Sequence, residues 1–110
     1  VFALRIIKLY AALPQNVEAQ IVGKQVLRSG TSVGAHYRES CRAKSNADFI
    51  SKVEGGLQEL EETLYWLELL SESKIFAEER IKPLREETEE LIAMFVTMVK
   101  NVKNKEGRFK

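Results

Sequence analysis

His36 and Cys41 are the single histidine and single cysteine of this chain, and both fall in one stretch, Arg28 to Cys41 (RSGTSVGAHYRESC). A cysteine–histidine nucleophile pair needs its side chains within hydrogen-bond reach. Five residues apart on one helix, they lie about 140° apart around the axis and diverge. His36 and Glu39 form an i, i+3 pair, but a zinc site takes at least three protein ligands. The Glu-x-x-His pairs of di-iron bundles do not occur, and neither does a glycine-rich phosphate loop. A helical ribonuclease would pair a basic residue with the histidine in a tight motif, whereas seven residues separate Arg28 from His36. The reading is no catalytic residue, no metal and no cofactor: the chain is not an enzyme, and His36 is a surface or interface histidine.

What remains is charge. The net charge of +1 hides an asymmetry. Residues 1–47 hold seven Lys/Arg against two acids, residues 48–99 five against thirteen, and residues 100–110 five against one. Basic flanks around an acidic middle attract a polyanion locally. If residues 17–42 form one helix, Lys24, Arg28, Arg38 and Arg42 share an arc of about 80° with Thr31 and Ala35. These four are the candidate RNA- or DNA-binding residues, helped by a basic tail. Glu39 sits beside them and is expected to pair with Arg42 or to neutralise part of the patch. The alternative is that this is simply a solvated helix face.

Four helices position these groups. The first spans about 1–12, with Phe2, Ile6, Leu9 and Leu13 at helical spacing; Leu13-Pro14-Gln15-Asn16 breaks it. Asn16 is a good N-cap for the second, about 17–42, and Glu18 suits its first turn. Val22, Val26, Ser29, Val33 and Ser40 line one side of this helix, and Gly23, Gly30, Gly34 and Cys41 an adjoining strip. Each helical glycine costs about 1 kcal/mol relative to alanine, so the aligned glycines suggest close approach of another helix, with a kink near Ser29–Ser32 as the alternative.

Ser45-Asn46-Ala47-Asp48 reads as a capping box opening a third helix, about 46–71. Its seam is Phe49, Val53, Leu57, Leu60, Leu64 and Leu67. Tyr65, Trp66 and Leu69 fall outside that seam. They meet either a second subunit, as interface aromatics do, or a second helix of the same bundle. The fourth helix, about 77–103, carries Leu84, Thr88, Leu91, Phe95, Met98 and Val102 at bundle spacing. Pro83 predicts a kink or a late start there, and the tail from Asn104 is expected to fray.

At 110 residues, 45% hydrophobic and 30% charged, with two prolines, this is one all-α domain over 1–110. Short connections between long amphipathic helices predict an antiparallel up-down-up-down four-helix bundle. A lone cysteine excludes an internal disulfide and fits a reducing cytoplasm. No apolar run approaches the roughly 18 residues of a membrane span, so no membrane partner is expected. The helical pattern is already under way at Val1, which predicts further residues before it in the natural protein.

Two runs, VLRSGTSVGAHYRES (Val26–Ser40) and DFISKVEGGLQELEETLYWLELL (Asp48–Leu70), resemble the four-helix-bundle family of 23S rRNA intervening-sequence proteins. The resemblance extends from about Leu4 to Val102. It implies an antiparallel bundle assembling into a ring, usually a homopentamer, so the chain's first expected partner is itself. The accessory variability determinant of diversity-generating retroelements, a basic pentamer that binds nucleic acid and a reverse transcriptase, is related in fold. The resemblance supplies no catalytic residues; Arg28, Ser29, Ser32, Gly34 and Glu39 match the family pattern in packing or assembly roles. Acidic helices 3 and 4 depart from the basic accessory branch. The function expected is therefore a non-enzymatic homo-oligomer that binds RNA or DNA through helix 2, or alternatively a scaffold whose partner is another protein.

Overall fold

The computed structural model describes residues 1–108, with side chains to residue 106. Its elements are α1 (Phe2–Ala12), α2 (Val17–Cys41), α3 (Asn46–Glu72) and α4 (Glu78–Arg108), and no strand occurs among the described residues. Two caps fall where the sequence puts them. Asn16 accepts a hydrogen bond from the Ala19 N–H at 2.8 Å, and the Ser45 hydroxyl accepts one from the Asp48 N–H at 3.0 Å. Each satisfies a backbone donor that the helix itself leaves orphaned. Asp48 in turn accepts from the Lys44 N–H at 3.2 Å.

The fourth helix starts within one residue of the expected position and ends later than expected. It starts at Glu78 and runs through Pro83, so there is no late start. The proline falls at the sixth helical position on an exposed side, where water can reach the carbonyl freed by its missing N–H. At the other end α4 continues to Arg108 rather than fraying from Asn104; Phe109 and Lys110 lie outside the described residues.

Neighbouring helices meet in opposed register. Ser29 contacts Thr63 and Glu39 contacts Lys52 across α2 and α3. Gly23 lies against Tyr10 and Leu13, and Gly30 against Ile6, across α1 and α2. The bundle measures 54 × 20 × 20 Å. α1, with 11 residues, is about 16 Å long at 1.5 Å per residue, so it flanks only part of that length. Two cores result. The first joins Ile6, Leu9, Leu13, Ala19, Val26, Leu67, Leu70, Ile81 and Leu84, drawn from all four helices. The second joins Val33, Val53, Leu60, Phe95 and Val99 from α2, α3 and α4 alone, with Phe2 of α1 at its edge.

The α3 seam keeps Val53, Leu60 and Leu67 of the expected set but takes Gly56, Thr63 and Leu70 in place of Phe49, Leu57 and Leu64. Its buried residues are Val53, Gly56, Leu60, Thr63, Leu67 and Leu70, whereas Phe49, Leu57 and Leu64 are half-buried. The spacing is still 3 and 4, but the small residues Gly56 and Thr63 take the central places. A Cβ on Gly56 would lie 2.7 Å from the Phe95 ring and 3.3 Å from His36 Cβ, so α2 and α4 both press on α3 at that point. Thr63 donates to Ser29 Oγ at 2.8 Å, and Ser29 donates to the Gln25 carbonyl at 2.9 Å. Both hydroxyls are buried, so they need these partners. In α4 the seam also shifts near its end, burying Val99 rather than Met98 or Val102.

The glycine strip of α2 is used only in its first half. A Cβ on Gly23 would lie 2.6 Å from Leu13 and one on Gly30 2.8 Å from Ile6, whereas Gly34 has nothing within 4 Å. Close approach therefore ends where α1 ends.

Candidate nucleic-acid interface

Lys24, Arg28, Arg38 and Arg42 are all exposed on α2, but the structure divides them into three environments. Arg28 reaches across to α3, where its guanidinium meets Glu59 at 3.1 Å and also pairs with Glu62. The hydrogen bond to Glu62 is the main cause that holds its pKa above the ordinary arginine value. With two carboxylates on one guanidinium, the field at this point is not that of a basic patch. Lys24 lies about 21 Å along the axis from Arg38, on the far side of that acidic pair. Arg38 and Arg42 sit together near the end of α2. Glu39 turns away from Arg42 and pairs with Lys52 of α3 at 3.6 Å.

Antiparallel packing gives Arg38 and Arg42 partners that helix 2 alone cannot show. Lys44 follows in the α2–α3 turn. Because Phe95 of α4 packs on Gly56 and Val99 joins Val53 in the second core, the last turns of α4 reach the same end and bring Lys100, Lys103 and Lys105. All six side chains are exposed, and none makes a salt bridge among the described residues. Over 38–54 and 100–106, seven Lys/Arg face four acids: Glu39, Asp48, Glu54 and Glu106. The signal was present in the sequence as a basic tail, but a frayed tail has no fixed place, whereas a helix ending beside α2 does.

Between the shoulders of α2 and α4, past the start of α1, lies an apolar cleft of about 280 Å³. Phe2, Gly34, Tyr37, Met94, Phe95 and Met98 are among its walls. Tyr37 is 45% exposed, and its ring centroid lies 6.1 Å from that of Phe95 at 34°. The cleft exists because α1 no longer fills the gap there.

His36 is half-buried. Its ring packs into the α2–α3 seam, where a Cβ on Gly55 would lie 2.9 Å from it, and its Nδ1 is buried without a hydrogen-bond partner among the described residues. The Gly55-Gly56 pair inside a helix was the sequence signal for this. Cys41 is exposed, so the two residues point apart. No group of three or more metal-ligating side chains occurs among the described residues.

Tyr65 is 55% exposed, with its ring edge-on to Trp66 at 4.9 Å. Trp66 and Leu69 are half-buried, and Trp66 packs on the first core. Trp66 thus serves its own bundle, while Tyr65 faces outward. Leu4 and Ile7 on α1, Val17 and Ile21 on α2, and Met94 and Val96 on α4 are further exposed apolar side chains. Sequence periodicity did not single them out.

A family model described as 23S rRNA-intervening sequence protein matches residues 1–97. The chain belongs to this family. Among solved structures, it is similar to a protein with unknown function from the S23 ribosomal protein family of Bacteroides thetaiotaomicron VPI-5482. The two share 39% sequence identity and superpose with a TM-score of 0.85, over 90% of this chain and 92% of that one. No curated protein matches. Fold and sequence thus agree on a 23S rRNA-intervening sequence protein, and no helix among the described residues is long and apolar enough to cross a membrane.

Proposed function

We propose that this intervening-sequence protein is a non-enzymatic homo-oligomer that binds RNA or DNA through the basic end of its bundle. The observation that carries the reading is the set of six exposed cations, Arg38, Arg42, Lys44, Lys100, Lys103 and Lys105, without a salt-bridge partner among the described residues. Lysines and arginines that neutralise phosphates release counterions, so affinity should fall linearly with the logarithm of salt concentration. The ribosomal wording attached to both the family and the Bacteroides relative favours RNA as the first ligand to test. Of the four cations first singled out on α2, Arg38 and Arg42 belong to this end, Lys24 is peripheral, and Arg28 serves the α2–α3 contact.

The exposed apolar side chains of α1, with Tyr65 of α3, support self-association, and a closed ring such as the pentamer multiplies the basic end around a symmetry axis. Filter retention of labelled RNA at two salt concentrations, paired with the solution mass, tests both parts. Binding that weakens as salt rises, by an oligomer, is the expected result. A protein partner that copurifies without nuclease-sensitive material, together with no RNA retention at low salt, would establish the scaffold reading instead.

A further inference from the structure

We propose that the pocket between α1 and the start of α4 binds a phosphoryl dianion, either free phosphate or the terminal phosphate of a larger molecule. The site lies at the four-helix end, opposite the basic end, and does not rest on the nucleic-acid reading above. The pocket holds about 170 Å³ and is lined by Arg5, Lys8, Leu9, Phe76, Arg80 and Leu84. Leu9 and Leu84 are buried in the first core, whereas the three cations are exposed. The charge therefore lies at the mouth, over an apolar base. Arg5 and Lys8 stand one turn apart on one face of α1, a helix that carries no acid. Arg5 pairs with Glu87, but neither Lys8 nor Arg80 makes a salt bridge among the described residues. Two helices thus bring unpaired cations to one pocket whose lining holds no carboxylate. Like charges so placed repel, and an anion between them reverses the sign.

Arg80 is also positioned in advance. Its guanidinium carbon lies 4.4 Å from the centroid of the Phe76 ring. A guanidinium stacked on a ring keeps its N–H donors free at the edge, and that planar fork matches two oxygens of a phosphate. Charge then selects the ligand. Glu87 offsets one of the three cations, and a phosphate monoester, at about −1.5 to −2, offsets the other two. A carboxylate or an internal phosphodiester carries a single charge. The volume falls below the roughly 300–1,000 Å³ of small-molecule sites, which suits one phosphoryl group rather than a whole cofactor.

The test titrates inorganic phosphate into the full chain, at an ionic strength held constant with chloride, and follows the amide NMR spectrum. Shifts around residues 5–9 and 76–84 should saturate. Lys8→Ala and Arg80→Ala should each weaken binding there about tenfold, the scale of one charge-assisted hydrogen bond. Phe76→Leu keeps the apolar wall, removes the ring under Arg80 and should weaken it about two- to fivefold. Arg38→Ala with Arg42→Ala should leave it unchanged. Shifts that do not saturate at this pocket, or an affinity that neither cation variant lowers, would overturn the proposal. An RNA oligonucleotide with a 5′-phosphate and its 5′-hydroxyl counterpart then separate the two sources. A preference for the phosphorylated strand that Arg80→Ala abolishes assigns the site to an RNA end. Equal binding of the two strands, with saturable inorganic phosphate, assigns it to free phosphate.

Discussion

At one end of this bundle nine buried residues from four helices close a core; at the other, five residues from three helices do so. Charge follows the same division. Where α1 is present, Arg5 pairs with Glu87 and Arg28 with Glu59 and Glu62 across elements, and within α4 Arg85 pairs with Glu78, which also takes the Ser71 hydroxyl of α3. Where α1 is absent, six cations remain exposed and a cleft opens. One end uses its charge to tie helices together. The other joins α2 to α3 through Glu39 and Lys52 and keeps Arg38, Arg42, Lys44, Lys100, Lys103 and Lys105 exposed without a salt bridge among the described residues.

The contrast is tested first in the cores. Ile6→Ala removes a fully buried side chain from the four-helix end and should lower unfolding free energy by about 2–5 kcal/mol. Leu91→Ala at the other end, where Leu91 is half-buried beside the cleft, should cost less than Ile6→Ala in the same urea titration. Equal losses would break the division. A smaller effect separates two glycines. Gly56→Ala presses a Cβ on the Phe95 ring and should destabilise by about 1–3 kcal/mol. Gly34→Ala meets open space and should stabilise by up to about 1 kcal/mol through helix propensity.

Arg28→Ala comes next. Its side chain is half exposed, so after screening the loss should be at most about 1 kcal/mol, with no change in the salt dependence of RNA binding. The smallest effect concerns pH. The Ser71 hydroxyl, and then Arg85, hold the Glu78 carboxyl below the ordinary glutamate range. A depressed carboxyl contributes stability above its unfolded pKa of about 4.3. That contribution is lost as pH falls through the folded value. Thermal melts from pH 6 down to pH 3 should therefore show less acid sensitivity in Glu78→Gln than in the wild type.

The helices were legible because their boundaries are written in local chemistry. Asn16 and Ser45 cap α2 and α3 within hydrogen-bond distance of the expected donors, and a cap depends on three neighbouring residues only. Half of the α3 seam was misread because Leu57 and Leu64 outweigh Gly56 and Thr63 in any count of apolar side chains. What decides the seam is contact from two sides, and that information sits on α2 and α4. The basic face of α2 meets the same limit. Arg28 is indistinguishable from Arg38 along its own helix; only the position of Glu59 and Glu62 on α3 separates them. The late start offered at Pro83 fails because a helix can carry a proline on its exposed side. His36 escaped because glycines were weighed on its own helix and not on the one facing it.

The salt dependence of single-stranded RNA binding measures directly whether the unpaired cations hold phosphate. Each phosphate contact contributes about 0.7 to the slope of log affinity against log salt for a single strand. Replacing Arg38 and Arg42 by alanine should reduce the wild-type slope by up to about 1.4, while Arg28→Ala leaves it unchanged. An unchanged slope in the double variant, or a reduced one in Arg28→Ala, would contradict the account.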